Sequence, residues 1–303
     1  MAKEKEKTIL SKRSGGERVV FGIAFVLFSL YALTILVALF FIVTTSLKGQ
    51  MAYIDDIANY ELFKLPAIDK LDFANYIEVF GKLFVQATNM REIKIYEMFW
   101  NSVWYTVGSS ALGVLGCSFT GYILSKYNFI GRNAIYTIII FTMTIPILGS
   151  TGSTLRMITN LGMYNSPLFL ATAFGGFGFN FMILYATFKG IPWSFAEAVF
   201  IDGGGHFTVF FKIMLPQAKA SLVTLFVIAA VAAWNDYTTS ILYMPDLPTI
   251  GAGLYRLQEF TEELADLPLY YAGLVIMLIP SIIIFACFSD MIMHNFTVGG
   301  LKG

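Results

Sequence analysis

Residues 197–216 read EAVFIDGGGHFTVFFKIMLP, from Glu197 to Pro216. They lie between two long apolar runs, where a chain that crosses a membrane repeatedly is expected to show a short polar loop. A plain connector does not need this pattern. Just upstream, Ile191-Pro192 predicts the start of a short helix, since proline is tolerated in a first turn. Glu197 then falls near the N-terminus of that helix, where the backbone dipole favours a carboxylate. Asp202 and Gly203-Gly204-Gly205 predict a sharp break, because glycine supplies backbone freedom. A second helix is expected over His206–Met214, with Phe207, Phe210, Phe211 and Met214 on one face. Pro216 is expected to end it. Helix, tight turn, helix makes a compact protrusion with an aromatic face suited to a partner's groove. The plainer alternative is an interfacial helix lying on lipid headgroups.

The rest of the chain supplies the membrane. Of 303 residues, 57% are hydrophobic and only 13% are charged, where a soluble domain carries roughly a quarter. The apolar residues gather in six runs, near Val19–Thr44, Met98–Leu124, Ala134–Thr151, Leu168–Phe188, Leu222–Met244 and Leu269–Met293. Each is long enough to cross a bilayer as helix, which takes about 20 residues. The predicted class is therefore an all-α integral membrane protein with six transmembrane helices. Asn235-Asp236 interrupt the fifth run. The first run is too long for the apolar core of a signal peptide and lacks a small-residue cleavage site, so it is expected to remain as a span. Formal net charge is zero, and no basic patch argues for nucleic acid. Cys117 and Cys287 both fall in apolar runs, with no Cys/His spacing for a metal.

Lysine and arginine set the orientation. The head carries Lys3, Lys5, Lys7, Lys12, Arg13 and Arg18, and an inside head puts Lys126, Arg132, Lys189, Lys212, Lys219 and Lys302 inside as well. The expected layout is a basic cytoplasmic tail over 1–18 and a first span over 19–44. An extracytoplasmic segment covers 45–97. A core over 98–293 contains the cytoplasmic loop 190–216, and a cytoplasmic tail covers 294–303. The segment Lys48–Glu97 holds Pro66, mixed charge and the amphipathic stretch Leu71–Phe80. It suggests a small folded extracytoplasmic lobe between the first two spans. The last outer loop, Pro245–Pro268, is acidic, with Asp246, Glu259, Glu262, Glu263 and Asp266 against Arg256.

The stretch from Glu197 resembles the EAA loop of the membrane subunits of bacterial ABC importers. Glu197-Ala198-Val199, Gly203, Ile213 and Leu215-Pro216 stand at that family's spacing, and Asp202-Gly203 matches its sugar-importer branch. Val199, Gly204 and Ala220 depart from the common residues there. Asn101-Ser102, Tyr127-Asn128-Phe129, Gly131-Arg132, Trp234-Asn235-Asp236 and the end Gly299-Gly300-Leu301-Lys302-Gly303 are also similar to that branch. The subunit class it most resembles is typified by the maltose permease G subunit.

The resemblance implies a carbohydrate permease in the bacterial cytoplasmic (inner) membrane. It pairs with a second permease subunit as a heterodimer, with two ABC ATPases and with an extracytoplasmic solute-binding protein. Glu197, Ala198, Asp202, Gly203, Phe207, Phe210, Ile213, Leu215 and Pro216 are the implied contacts to the ATPase. ATP and magnesium belong to that ATPase. This chain contains no G-x-x-x-x-G-K-[ST] motif and is expected to carry no cofactor, metal or catalytic residue. A sugar-phosphate such as glycerol-3-phosphate is the neighbouring alternative. A stand-alone secondary transporter or channel is the alternative of another class, although no internal repeat is visible.

Polar residues inside spans are functional candidates. Asn101, Asn180, Tyr185, Trp234, Asn235 and Asp236 are candidates for the pathway lining, where amides and carboxylates bond sugar hydroxyls and rings stack on sugar faces. Interhelical bonding and helix capping are the competing roles. Ser109, Gly113, Cys117 and Gly121 recur every fourth residue and predict a ridge where another helix comes close. Pro146, Pro280 and the glycines at 175, 176 and 178 predict bends or flexible points.

Overall fold

The computed structural model describes residues 15–61, 63–144, 149–175, 177–260 and 266–299. The basic head up to residue 14, Pro146, Gly176, Glu262, Glu263 and the end from residue 300 lie outside the described residues. Two compact units are present: residues 1–76 with 266–275, and residues 77–265 with 276–303.

In the first unit, helix α1 (Gly15–Ser46) is apolar all round and almost wholly exposed, as a lipid-facing span is. Its last turn is held by polar groups. Asn75 Nδ2 donates to the carbonyls of Ser46 and Lys48, both at 2.9 Å. The Ser46 and Tyr76 hydroxyls lie 2.6 Å apart. These bonds occupy carbonyls that a helix end leaves without partners. Lys48, only 1% exposed, pairs with Asp56 of helix α2 (Gln50–Ala58) at 2.8 Å. The start of the last helix, α13 (Leu267–Gly299), also belongs to this unit, with Tyr271 edge-on to Phe41 at 5.6 Å.

The second unit begins within helix α3 (Asn75–Lys82) and includes an antiparallel hairpin, β1 (Phe84–Gln86) and β2 (Glu92–Lys94), with Val85 opposite Ile93. The segment 48–97, expected to form a small lobe, falls partly in each unit, and the hairpin is a small β element in a chain that is otherwise helical. Helix α4 (Ile95–Lys126) follows directly and runs for 32 residues, about 48 Å at 1.5 Å per residue.

The small residues of α4 explain its packing. A Cβ on Gly116 would lie 2.1 Å from the Phe174 carbonyl oxygen, and one on Gly121 would lie 3.1 Å from the Tyr185 nitrogen. At Gly108 an added Cβ would meet only the end of the Leu170 side chain, at 2.5 Å. The predicted ridge thus meets neighbouring backbone at Gly113 and Gly121, and the closest backbone approach, at Gly116, lies off that ridge. The neighbour is the 3₁₀ segment Pro167–Gly175 followed by α7 (Phe179–Gly190), which buries Phe181, Leu184 and Phe188 at helical spacing. In a bilayer such a seam gains from van der Waals packing, because lipid tails are as apolar as the side chains.

The expected six spans are matched in part. Among the described residues, three helices are long and apolar enough to cross alone: Gly16–Ser46, Ile95–Lys126 and Leu267–Ser289. Two bent pairs raise the number to five. One joins Pro167–Gly175 to Phe179–Gly190 at 56°, and the other joins His206–Gln217 to Lys219–Trp234 at 76°. The third run, expected over Ala134–Thr151, is instead a 13-residue helix α5 (Arg132–Thr144) and, after Gly149 at φ +80°, an 11-residue helix α6 (Ser150–Asn160). Helix α10 (Lys219–Trp234) stops before Asn235-Asp236, and the short α11 (Thr238–Tyr243) and α12 (Ile250–Phe260) come next. Pro280 sits within α13, which continues past the expected boundary at 293 to Gly299.

Candidate functional site

The stretch around Glu197 folds as helix, turn, helix. Helix α8 (Ser194–Ile201) starts after Trp193, so Pro192 precedes the first turn instead of opening it. Glu197 and Ala198 are exposed on it, and Asp202 closes it, also exposed. Gly203 takes φ +81°, a conformation that costs other residues roughly 1–2 kcal/mol. Gly204 makes the turn tight: its N–H donates to the Val199 carbonyl at 2.8 Å, and an added Cβ would meet Val199 Cγ1 at 2.4 Å. Val199 and Gly204 are two of the departures from the common loop pattern, and they touch. The larger residue at 199 is accommodated by the missing side chain at 204.

Helix α9 (His206–Gln217) contains a π-helical stretch over Val209–Met214. The wider turn moves side chains off the α-helical face assumed from sequence. Of the four residues expected together, Phe210 is 2% exposed and Met214 is fully buried, whereas Phe207 is 77% exposed and Phe211 is half exposed. Phe210 packs inward, stacked on Phe119 at 4.5 Å between ring centroids. The expected aromatic face is thereby corrected. Phe207 and Phe211 remain outside with Phe195 and Ile201, while Ile213 and Leu215 are half-buried and Pro216 is exposed. Pro216 does not end the helix at once. It continues to Gln217 and breaks at Ala218, since proline removes a donor only for a carbonyl already behind it.

The candidate pathway residues divide by their partners. Asn101 Nδ2 donates to the Pro248 carbonyl at 3.2 Å, and its Oδ1 accepts from Trp104 Nε1 at 3.0 Å. Trp234 is buried, donates to the Met277 carbonyl at 3.0 Å and meets Phe99 edge-on. Asp236, two residues ahead of α11, accepts from the Thr239 N–H at 3.1 Å, and it also accepts from the Tyr105 hydroxyl at 3.1 Å. All three bond neighbouring elements. Asn235 is exposed and bonds back to Val231. Asn180 is half-buried in the first turn of α7. Tyr185 lies 4.8 Å from the Tyr136 ring, with Lys189 Nζ 5.8 Å from its centroid. Neither Cys117 nor Cys287 is in a disulfide, and no group of three metal-ligating residues occurs among the described residues.

A second polar centre, not singled out from sequence, lies near the Ile95 end of α4. Asp246 Oδ1 accepts from the Thr88 N–H at 2.6 Å and from its hydroxyl at 2.7 Å. Oδ2 accepts from Asn165 Nδ2 at 2.7 Å, and the Asp246 N–H donates to Asn165 Oδ1 at 2.9 Å. The Thr88 N–H foremost, then the Thr88 hydroxyl, Asn165 and the Arg256 charge, hold this carboxyl below its usual range, against partial desolvation. The sequence signal was the Asp246 charge, but its partners stand 81 and 158 residues away.

An apolar helical chain with several helices long enough to span, and an exposed helix–turn–helix between α7 and α10, has the make-up of a polytopic membrane protein. The family model for the binding-protein-dependent transport system inner membrane component matches residues 113–296, and the chain belongs to that family. It is 31% identical over 202 residues to the polygalacturonan/rhamnogalacturonan transport system permease protein of Bacillus subtilis (strain 168), covering 66% of this chain and 65% of that one. The chain thus matches just under two thirds of that relative's length. Over 95% of this chain it is 23% identical to the diacetylchitobiose uptake system permease protein of Streptomyces coelicolor, covering 91% of that protein. A chain of a bacterial ABC transporter involved in the import of the acidic polysaccharide alginate has the same fold. Its TM-score is 0.72 at 22% identity, covering 92% of this chain and 98% of that one.

Proposed function

We propose that this chain is one of two permease subunits of an ATP-driven importer for a sugar or oligosaccharide, with both termini on the cytoplasmic side. The observation that carries the reading is the exposed protrusion of α8 and α9, in a family of binding-protein-dependent transporters. Relatives named for polygalacturonan/rhamnogalacturonan transport and for diacetylchitobiose uptake support the substrate class. In this reading α10 crosses the membrane while α9 stays at the cytoplasmic face, α5 and α6 form a further span in series, and the 45–97 segment and the Asp246 centre face outward. ATP and magnesium bind a separate ATPase, which grips Glu197, Ala198, Asp202, Gly203 and the exposed Phe207. Phe210, Ile213 and Leu215 support that surface from within.

The coupling is mechanical. ATP-driven closure of the two ATPases draws the protrusions of the paired permeases together, and the helix bundles rock between inward-open and outward-open states. This chain needs no reacting group for that work. Asn180 and Asn235 are the pathway candidates least committed to tying one element to another, whereas Tyr185 packs on Tyr136 of α5. The test is uptake of labelled oligosaccharide by proteoliposomes holding the whole complex and its binding protein. Uptake should require internal ATP and should be lost in Gly203→Pro with the subunit still in the membrane. Uptake without ATP, or unchanged in Gly203→Pro, would overturn the proposal.

A further inference from the structure

We infer that Tyr127 and His206 are positioning residues that lock both helices of the protrusion to the end of α4, so that tilting of α4 and movement of the protrusion are one motion. The inference rests on the coupling reading above and names the joint through which it acts.

Tyr127 follows the last residue of α4 and stands between the starts of α8 and α9. Its ring is edge-on to Trp193, the residue that caps α8, at 5.6 Å. Its hydroxyl lies 2.8 Å from Nδ1 of His206, the first residue of α9. The His206 ring is itself edge-on to Phe200 of α8 at 5.0 Å. On the other side, the Tyr122 hydroxyl is 3.1 Å from that of Tyr127. With His206 Nδ1 unprotonated, Tyr127 donates to it and Tyr122 donates to Tyr127. One hydroxyl chain then runs from within α4 to the first turn of α9.

The bracket that carries Tyr127 is stiff. Lys126 Nζ donates to the Ile191 carbonyl ahead of α8. Arg132 Nε donates back to the Leu124 carbonyl at 2.7 Å, and its Nη1 to Asn128 Oδ1. These bonds close the connector 127–131 against the end of α4. A phenol held this way cannot move without the starts of both protrusion helices. Hydrogen bonds are directional, so the Tyr127–His206 bond fixes the angle of α9 where ring packing alone would let it rotate.

A merely structural brace would lower the amount of complex without changing how the assembled complex uses ATP. The experiment therefore measures sugar imported per ATP hydrolysed, in proteoliposomes of the complete transporter. Tyr127→Phe, His206→Ala, His206→Asn and Gly203→Pro are compared with wild type. Asparagine places an oxygen close to the position of Nδ1, so His206→Asn restores the bond. The expected result is a fall of roughly three- to tenfold in the ratio for Tyr127→Phe and His206→Ala, the range of one net hydrogen bond, with His206→Asn near wild type. Unchanged ratios in Tyr127→Phe and His206→Ala, with Gly203→Pro uncoupled, would overturn the joint and leave the coupling reading standing. An unchanged ratio in Gly203→Pro would remove the coupling reading itself. An equal fall in His206→Asn and His206→Ala would overturn the role of the Nδ1 bond.

Discussion

The two ends of α4 are held by different chemistry. At the Ile95 end, Asn101 bonds Pro248, the Ser102 hydroxyl accepts from the Ile250 N–H at 2.8 Å, and the Asp246 centre nearby ties Thr88 to Asn165. At the Lys126 end, most of the contact is ring against ring, through Tyr122, Tyr127, Phe188, Trp193 and Phe210, with few polar atoms threaded between. Hydrogen bonds to an ionised group are strong and directional and fix register. Aromatic packing has shallow orientational preferences and tolerates small rotations. The polar end is built as a fixed anchor; at the aromatic end the rings leave room to turn, and the Tyr127–His206 bond sets the angle of α9 there.

The largest effect that can break this contrast is at the turn of the protrusion. Proline fixes φ near −65°, whereas Gly203 sits at +81°. Gly203→Pro should cost at least about 2 kcal/mol of local strain and reduce transport by more than tenfold, read as ATP-dependent uptake. Gly204→Ala is next. The new methyl meets Val199, and overpacking of this kind costs about 1–3 kcal/mol. Val199→Ala in the same chain should relieve it, so the double variant should recover uptake that Gly204→Ala loses. If the two effects simply added, the compensation read from their contact would be wrong.

At the anchor the expected effects are smaller and concern stability. Asp246→Ala removes the acceptor of Thr88 and Asn165. Partly open to solvent, the site should lose on the order of 1 kcal/mol, seen as a lower Tm of the detergent-solubilised complex with the sugar-to-ATP ratio unchanged. The smallest effect is in pH dependence. A carboxyl with a lowered folded-state pKa contributes stability that is fully present above its ordinary value, about 4. That contribution is lost as pH falls through the lowered value. The Tm of wild type should therefore drop more steeply than that of Asp246→Asn only below the ordinary carboxylate range. A steeper difference near neutrality would point to another group.

Much of this arrangement was legible in the chain. The runs from Val19, Met98 and Leu269 become the three longest helices, because a lipid-facing or packed span needs only length and apolar character. The break at Gly203 was readable because a positive φ calls for glycine. The division of Phe207 from Phe210 was not, since the π-helical stretch resets the face that a regular period predicts. The third run holds two short helices, α5 and α6, with Gly149 at φ +80° just ahead of the second, a local turn that apolar character alone does not record. The two ends of α4 were hidden for another reason. Tyr127 meets His206 79 residues on, and Thr88 meets Asp246 158 residues on. No local pattern records such pairings. Asp246 was read as one charge in an acidic loop, and only its partners reveal an anchor.

The most direct test of the central claim is purification of the tagged chain in mild detergent from cells expressing its native operon, with identification of every stoichiometric component. The account predicts a second permease and an ATPase carrying the Walker motif that this chain lacks, with the ATPase lost or uncoupled in Gly203→Pro. A chain that purifies alone and moves solute across vesicles without ATP would contradict it.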